Sequence, residues 1–366
     1  MSTGLLRTPL YDLHVSMGAR IVEFAGWEMP VQFAGINEEH LHTRTACSVF
    51  DVSHMGRLRL TGKDCEGFLN RICTRNLKDA APGRCFYSHI CREDGGILDD
   101  VIVSRFEDRW GIVCNASNRD KIITWLNRHR AGTGVELDDE TQTTAMIACQ
   151  GPRTLELARQ ITGEDFSSLK RYHFWVRELG PVPIVVYRSG YTGEDGVEVV
   201  LPAGLVPALV PRLFGTPDEP RPLVKPAGLG ARDTLRIEAA MPLYGHELSE
   251  EVDSLTAGQA WCVDLTKDFI GAEPMRRLQA RGLPRKLVGL ELEGRRIARQ
   301  HYKVSCGNRT VGEVTSGTLS PTLARSIAMG FVASEVADEG TSLEVDISGK
   351  RIAARVVKLP FYKRAR

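Results

Sequence analysis

The sequence predicts an α+β chain, two consecutive α+β units followed by a small all-β domain. Three observations carry this. Residues 62–130 read as helix, hairpin, strand and helix, and a similar order returns over 145–214. Beyond the break Gly282-Leu283-Pro284, only short alternating runs separated by glycines remain. At 366 residues the chain is long for one core, and two or three domains are expected. The expected division is 1–281 for two interleaved α+β units, roughly 1–140 and 141–281, and 282–366 for the β-barrel domain.

Taken in order, Thr8 to Pro30 reads as a short helix, a strand and a tight turn. Ile36 to Ala46 is polar and helical in pattern; its His40 and His42 stand two apart, face apart on a helix and make a poor metal pair. Val49 to Leu60 is a strand interrupted by the polar knot Ser53-His54-Met55-Gly56. A lone His such as His54 reads as a hydrogen-bonded structural residue before it reads as a general base. A helix runs from Gly62 through Arg71, and the strand Cys85 to Ile90 pairs with Ile97 to Phe106 across Glu93-Asp94-Gly95-Gly96 as a hairpin. Trp110 to Asn115 is a further strand, and Asn118 to Arg130 a helix with its stripe at Ile122, Ile123, Trp125 and Leu126.

The second unit offers the strand Ala145 to Cys149, the helix Arg153 to Ile161, strands Val182 to Arg188 and Val197 to Leu201, and the helix Leu205 to Phe214. Four prolines in the ten residues from Pro217 to Pro226 mark a linker or rigid loop. Gly228 and Gly230 then open a helix and permit close backbone approach, without forming a dinucleotide fingerprint. The final runs are Leu287 to Glu291, Lys303 to Cys306, Val311 to Thr315, Ile327 to Val332, Leu343 to Ile347 and Ile352 to Val357.

Composition narrows the function classes. A formal net charge of +1 supplies no field that would recruit nucleic acid or an anionic membrane. The basic tail Lys363-Arg364-Ala365-Arg366 reads as a solvated terminus. The nine cysteines are odd in number and contain no Cys-x-x-Cys, which predicts free thiols in a reducing compartment and no structural zinc. No apolar run approaches the ~20 residues that span a bilayer. Met1 to Arg7 reaches the first patterned segment at once, so a cytoplasmic protein is expected.

Two stretches carry chemistry. In Gly95-Gly96-Ile97-Leu98-Asp99-Asp100-Val101-Ile102-Val103 a turn opens a strand that is apolar on both faces, broken by two carboxylates. Alternation sends Asp99 and Asp100 to opposite faces, so they are no proton-sharing dyad, and each needs its own partner. Arg188 to Glu198 holds three glycines and several polar residues just ahead of a strand, more than a hairpin needs. Glu198 lies inside that strand, where a heterocycle presenting two parallel N–H groups would satisfy it bidentately. The polar candidates in apolar surroundings are Asp99 or Asp100, Tyr87, Asn115, Tyr191, Glu194, Glu198 and Arg232. No nucleophile elbow, P-loop, His-Glu-x-x-His or EF-hand loop is present.

With these motifs the chain resembles the aminomethyltransferase family, the T-protein of the glycine cleavage system. The resemblance rests on Thr8-Pro9-Leu10-Tyr11, Phe24-Ala25-Gly26-Trp27-Glu28-Met29-Pro30, Phe50-Asp51-Val52-Ser53-His54-Met55-Gly56 and Gly95-Gly96-Ile97-Leu98-Asp99-Asp100. It continues through Gly190-Tyr191-Thr192-Gly193-Glu194-Asp195-Gly196, Pro226-Ala227-Gly228-Leu229-Gly230-Ala231-Arg232-Asp233, Gly294-Arg295-Arg296-Ile297-Ala298-Arg299 and Val314-Thr315-Ser316-Gly317, in order over nearly the whole length.

The resemblance implies two ferredoxin-like domains and a C-terminal barrel around a central folate channel. It implies transfer of the methylene unit from aminomethyl-dihydrolipoyl H-protein to tetrahydrofolate with release of ammonia, and no metal. Lipoylated H-protein and tetrahydrofolate are then the partners. Asp100 becomes the essential acid, a choice alternation alone leaves open. Glu198 would hold the pterin edge, Arg232 would lie beside the carboxylate and folate, and Tyr87, Tyr191, Met55 and Asn115 would wall the pocket. One departure stands out. Where the family has a Thr-x-Pro-x-Glu-Ala-Gly-like run, this chain has Asp253-Ser254-Leu255-Thr256-Ala257-Gly258-Gln259, without the Pro or the Glu. Two relatives of the same architecture compete: a folate-dependent demethylase of a small methylated substrate, and a non-catalytic folate-binding protein serving iron–sulfur clusters, whose Lys-Gly-Cys-Tyr-x-Gly-Gln motif is absent here.

Overall fold

The computed structural model describes residues 4–179, 182–215 and 222–364. Residues 217–221 of the proline-rich stretch and 365–366 of the basic tail lie outside the described residues. The chain divides into two compact units. One is drawn from Met1–Cys65, Asp79–Phe86 and Ile102–Asp233, the other from Glu66–Lys78, Tyr87–Val101 and Thr234–Arg366.

The first unit opens with a small sheet in which Trp27–Gln32 lies between Leu6–Arg7 and Arg20–Phe24. Its hairpin turns on Ala25 and Gly26, both at positive φ, the two-residue geometry that matches strand twist. The six-stranded sheet runs Phe174–Leu179, Val182–Tyr187, Gly196–Pro202, Thr144–Gln150, Cys47–Asp51, Val224–Pro226, and only the last pair is parallel. Alternation divides its faces. Val49, Ala145, Ile147, Cys149, Val197 and Leu201 form one core with Leu157, Val206 and Leu213 of the helices Thr154–Thr162 and Val206–Phe214. Each such aliphatic side chain, fully buried, contributes roughly 1.5–3 kcal/mol. The opposite face carries Glu198, in register with Ala148 on one side and Tyr187 on the other.

The interrupted run at 49–60 resolves into two strands that enter different sheets. Cys47–Asp51 joins the six-stranded sheet, and Gly56–Thr61 joins the five-stranded sheet ordered Arg84–Cys91, Ile97–Arg105, Trp110–Cys114, Gly56–Thr61, Glu136–Asp139. The polar knot is the crossover. Asp51, buried, accepts from Thr8 Oγ1 at 2.6 Å, His14 Nε2 at 2.8 Å and the Ser53 amide at 2.9 Å. Burial opposes its charge, but these donors outweigh it and hold the carboxyl below its ordinary value. Arg57, also buried, donates to the carbonyls of Ser53 and Met55 and to Thr144 Oγ1.

In the second unit the C-terminal strands close into a barrel: Arg285–Leu292, Ser326–Ala333, Arg309–Leu319, Lys303–Cys306, Ser342–Ile347, Lys350–Val357 and back to the first. Val288, Leu290, Val304, Val314, Val332, Val345 and Val356 fill it. A neighbouring core gathers Cys91, Ile97, Leu248, Leu255, Phe269, Met275 and Phe331. The expected α+β chain with a terminal barrel is therefore found, and every expected strand of the barrel is in place.

Some elements escape the sequence pattern. Glu136–Asp139 carries one apolar residue and forms a strand through pairing with Gly56–Thr61, where Arg59 meets Asp138 at 2.7 Å and Glu140 at 3.1 Å. The helix Ala272–Arg281 buries only Ala272 and Met275, too narrow a stripe to stand out among its arginines. Among the described residues no helix is long and apolar enough to cross a membrane.

Candidate active site

The loop ahead of Glu198 is tied down at several points. Arg188 pairs with both carboxylate oxygens of Asp195 at 2.8 and 2.6 Å and donates to the carbonyls of Phe166 and Leu169. Gln150 accepts from Thr192 Oγ1 at 2.9 Å and donates to the Ser189 carbonyl at 3.1 Å. Gly190 packs so closely on Gln150 that a Cβ would stand 1.9 Å from its amide oxygen and would displace the side chain that ties Ser189 and Thr192. Arg44 reaches Glu194 at 2.9 Å and the Thr192 carbonyl at 2.7 Å, with both charged side chains almost fully buried. Glu194, singled out by the sequence, is thereby engaged in holding the loop. Glu198 accepts a hydrogen bond from Ser189 Oγ.

Arg232 joins this group from the first turn of the helix Leu229–Glu238, its guanidinium 4.9 Å from the centre of the Tyr191 ring. The helix is set by Glu39, whose carboxylate accepts from the amides of Gly228 at 2.8 Å, Phe33 at 2.6 Å and Gly35 at 3.1 Å. A Cβ on Gly228 would lie 2.4 Å from the Val31 carbonyl carbon, so only glycine permits this seat. Burial lowers the Arg232 pKa, while Glu198 and Tyr191 push it back up. One guanidinium nitrogen, Nη1, is buried without a hydrogen-bond partner among the described residues. A buried, unmatched N–H is costly unless an acceptor comes to it.

Met55 and Asn115 form a second pair in the same unit. Gly56 stands opposite Cys114 in register, so Met55 and Asn115 each lie one residue beyond the same end of that strand pair, both half-buried. His54, beside Met55, is buried edge-on against Phe24 at 5.6 Å. Burial carries its pKa down to about 4, Asp51 opposing and the charges of Arg232 and Arg57 adding to the fall. The ring is therefore neutral near pH 7, in keeping with a structural residue.

Asp100 and Tyr87 belong to the second unit. On the strand Ile97–Arg105 Asp99 is fully buried and Asp100 half-buried, as alternation requires. The Tyr87 hydroxyl donates to Asp100 Oδ2 at 3.2 Å. Tyr87 stacks on Trp261 at 5.2 Å with rings 17° apart and meets His89 edge-on at 5.4 Å. Burial, with the Asp100 charge adding, pushes the neighbouring Cys262 thiol up to about 12, so it stays protonated. The seven expected site residues thus fall into three groups: Tyr191, Glu198 and Arg232; Met55 and Asn115; Tyr87 and Asp100.

His89, Ser254 and Trp261 were not singled out from sequence. The available signals were the two-residue spacing of His89 from Tyr87, which puts both on one strand face, and the departure at 253–259. Among the described residues no group of three or more His, Cys, Asp or Glu side chains is placed to hold a metal ion.

Comparison with known proteins agrees with this architecture. The GCVT N-terminal domain model matches residues 10–267, and the glycine cleavage T-protein C-terminal barrel domain model matches residues 285–363. An aminomethyltransferase of Rubrobacter xylanophilus is 47% identical over 99% of this chain and 95% of its own length. One from Desulfitobacterium hafniense is 42% identical over 99% of both. The crystal structure of glycine cleavage system aminomethyltransferase T from Bartonella henselae superposes with a TM-score of 0.92 at 32% identity, covering 98% of this chain and 99% of that one. The chain belongs to the glycine cleavage T-protein family and is a transferase enzyme, as its motifs led one to expect.

Proposed function

We propose that the enzyme transfers the methylene unit from aminomethyl-dihydrolipoyl H-protein to tetrahydrofolate with release of ammonia, and that Asp100 is its catalytic carboxylate. The observation that carries the reading is the placement of Asp100: half-buried at a strand position and hydrogen-bonded by Tyr87, whose ring stacks on Trp261, in a chain matched end to end by its family.

The residues fit a reduced pterin. Its ring offers adjacent N–H donors and a carbonyl oxygen. Glu198 has acceptor capacity beyond its bond from Ser189, and Arg232 Nη1 has an N–H in need of an acceptor. Glu198 would accept from the N–H edge and Arg232 would donate to the carbonyl, with Tyr191, Met55 and Asn115 lining the site. Tetrahydrofolate, when bound, supplies the amine nitrogens that receive the one-carbon unit. Asp100 supplies a fixed negative charge where positive charge develops on nitrogen, and an acceptor for the proton released there. The Tyr87 hydroxyl keeps that carboxylate oriented.

The division into 1–281 and 282–366 belongs to the same reading, supported by the interval between the two matched regions at 267 and 285. So does a cytoplasmic setting: all nine cysteines are free and eight are buried, which suits a reducing compartment.

The test is release of ammonia and methylene-tetrahydrofolate from aminomethyl-loaded H-protein, with and without tetrahydrofolate. Folate-dependent release of both is expected. Tight folate binding without release would overturn the reading and favour demethylation of a small substrate.

A further inference from the structure

We infer that His89, oriented by Ser254, is a positioning residue that fixes the Tyr87 hydroxyl as a donor to Asp100. This rests on the reading of Asp100 as the catalytic carboxylate. Four side chains lie in one unbroken line: Ser254 Oγ is 2.7 Å from His89 Nδ1, His89 Nε2 is 3.3 Å from the Tyr87 hydroxyl, and that hydroxyl is 3.2 Å from Asp100 Oδ2.

Hydrogen-bond inventory gives the line a single direction. An ionised carboxylate only accepts, so Tyr87 must donate its one proton to Asp100. The Tyr87 oxygen is then an acceptor toward His89, which requires the Nε2–H form of the ring. Nδ1 is left bare and accepts from the Ser254 hydroxyl. Reversing the Tyr87–His89 bond would take the tyrosine proton from Asp100 and leave two acceptors face to face, whereas the Ser254 hydroxyl, donor and acceptor alike, adapts to the ring. Burial holds His89 neutral, its pKa carried down to about 3, so the ring keeps the single N–H that this order needs. Packing fixes the Tyr87 ring between Trp261 and His89, but packing cannot choose where a hydroxyl rotor points. A bare Nε2 at the same position would draw the tyrosine proton away from Asp100. The Asp100 carboxylate makes that tautomer the unfavourable one, since it would lose its bond from Tyr87.

Ser254 lies in the run that departs from the family pattern. The turn there is held by Asp253, which accepts from the amides of Leu255 and Thr256, both at 2.9 Å, and from the Thr256 hydroxyl at 2.6 Å. Gln259 in turn accepts from the Trp261 indole at 2.9 Å. The altered run therefore builds the wall against which Tyr87 is set.

The experiment is steady-state turnover of loaded H-protein and tetrahydrofolate by the full-length enzyme and its variants. His89→Leu is expected to lower kcat about tenfold with KM unchanged, and His89→Gln, which keeps an N–H donor, to recover part of it. Ser254→Ala should cost about threefold. In a Tyr87→Phe background His89→Leu should cost nothing further, because the hydroxyl through which it acts is gone. Full kcat in His89→Leu, or the same fold-loss in both backgrounds, would overturn the inference. The ring nitrogen NMR shifts of His89 in the wild-type protein should report the Nε2–H form; the other tautomer or a doubly protonated ring would refute it even if the variants fail to fold. Asp100→Asn separates the two levels. An active Asp100→Asn enzyme defeats the reading of Asp100 itself, whereas an inactive one beside an unimpaired His89→Leu defeats only the role of His89.

Discussion

Glu198 and Asp100 are both carboxylates placed inside β-strands, yet their surroundings differ in kind. Around Glu198, charged residues pair with one another and also tie down the backbone: Arg188 with Asp195 and the carbonyls of Phe166 and Leu169, Arg44 with Glu194 and the Thr192 carbonyl, Glu39 with the Gly228 amide. What they hold is a group with capacity to spare, the Glu198 carboxylate and the unmatched Nη1 of Arg232. Around Asp100 the bonds run from side chain to side chain and end on the carboxylate. The first arrangement suits a surface awaiting a polar ligand, the second a charge held in one orientation. The contrast separates binding from chemistry, and mutation should separate them too.

The largest effect is expected at the chemical end. Asp100→Asn should lower kcat by about a thousandfold, the scale of losing a preorganised charge, while the folate dissociation constant stays within twofold of wild type, about the scatter of a neutral change. Isothermal titration of tetrahydrofolate beside the turnover assay checks both. A parallel loss of affinity would erase the contrast.

Next comes the frame of the binding end. Arg44→Met leaves Glu194 buried without its cation and should cost about 3 kcal/mol of stability. It should also weaken folate binding, because Thr192 and the loop that presents Tyr191 lose their tie. Urea melts give the first quantity and titration the second. Retained affinity in a destabilised protein would show that the loop keeps its shape without Arg44. Glu198→Gln should act at the ligand itself. Its amide can satisfy only one of two N–H donors, and the dissociation constant should rise about tenfold to a hundredfold with kcat at saturating folate little changed.

The two ends also differed in how far they could be read from sequence. Strand alternation placed Asp99 and Asp100 on opposite faces, and the structure buries one fully and the other by half. The glycine-rich loop was legible as an unusual stretch ahead of a strand carboxylate at 198, and the structure packs its Gly190 against Gln150. Periodicity found every barrel strand because alternation there is a direct record of inside and outside. It could not find Glu136–Asp139, whose strand form comes from a partner 75 or more residues earlier. Nor could it connect His89 with Ser254, which lie 165 residues apart and are joined only by the folded chain. The unusual run at 253–259 was visible as a departure, but its meaning lay in contacts that no local pattern encodes.

The smallest effect expected concerns His54, at the margin of the binding end. Its folded pKa of about 4 lies below the ordinary 6.5, so between these values the unfolded chain binds a proton that the native ring refuses. Stability must then fall as pH drops from 6.5 toward 4, and this contribution levels off below. Phe24 packs edge-on against the ring, so His54→Phe should be accommodated sterically while removing the titration. The variant should lose less stability than wild type across that acid interval and match its slope above pH 7, as urea melts along a pH series would reveal. An unchanged acid slope would mean that the native ring takes up its proton as readily as the unfolded one. The positive charges of Arg57 and Arg232 would then fail to reach it, and the link between the polar crossover and the guanidinium of the binding end would be broken.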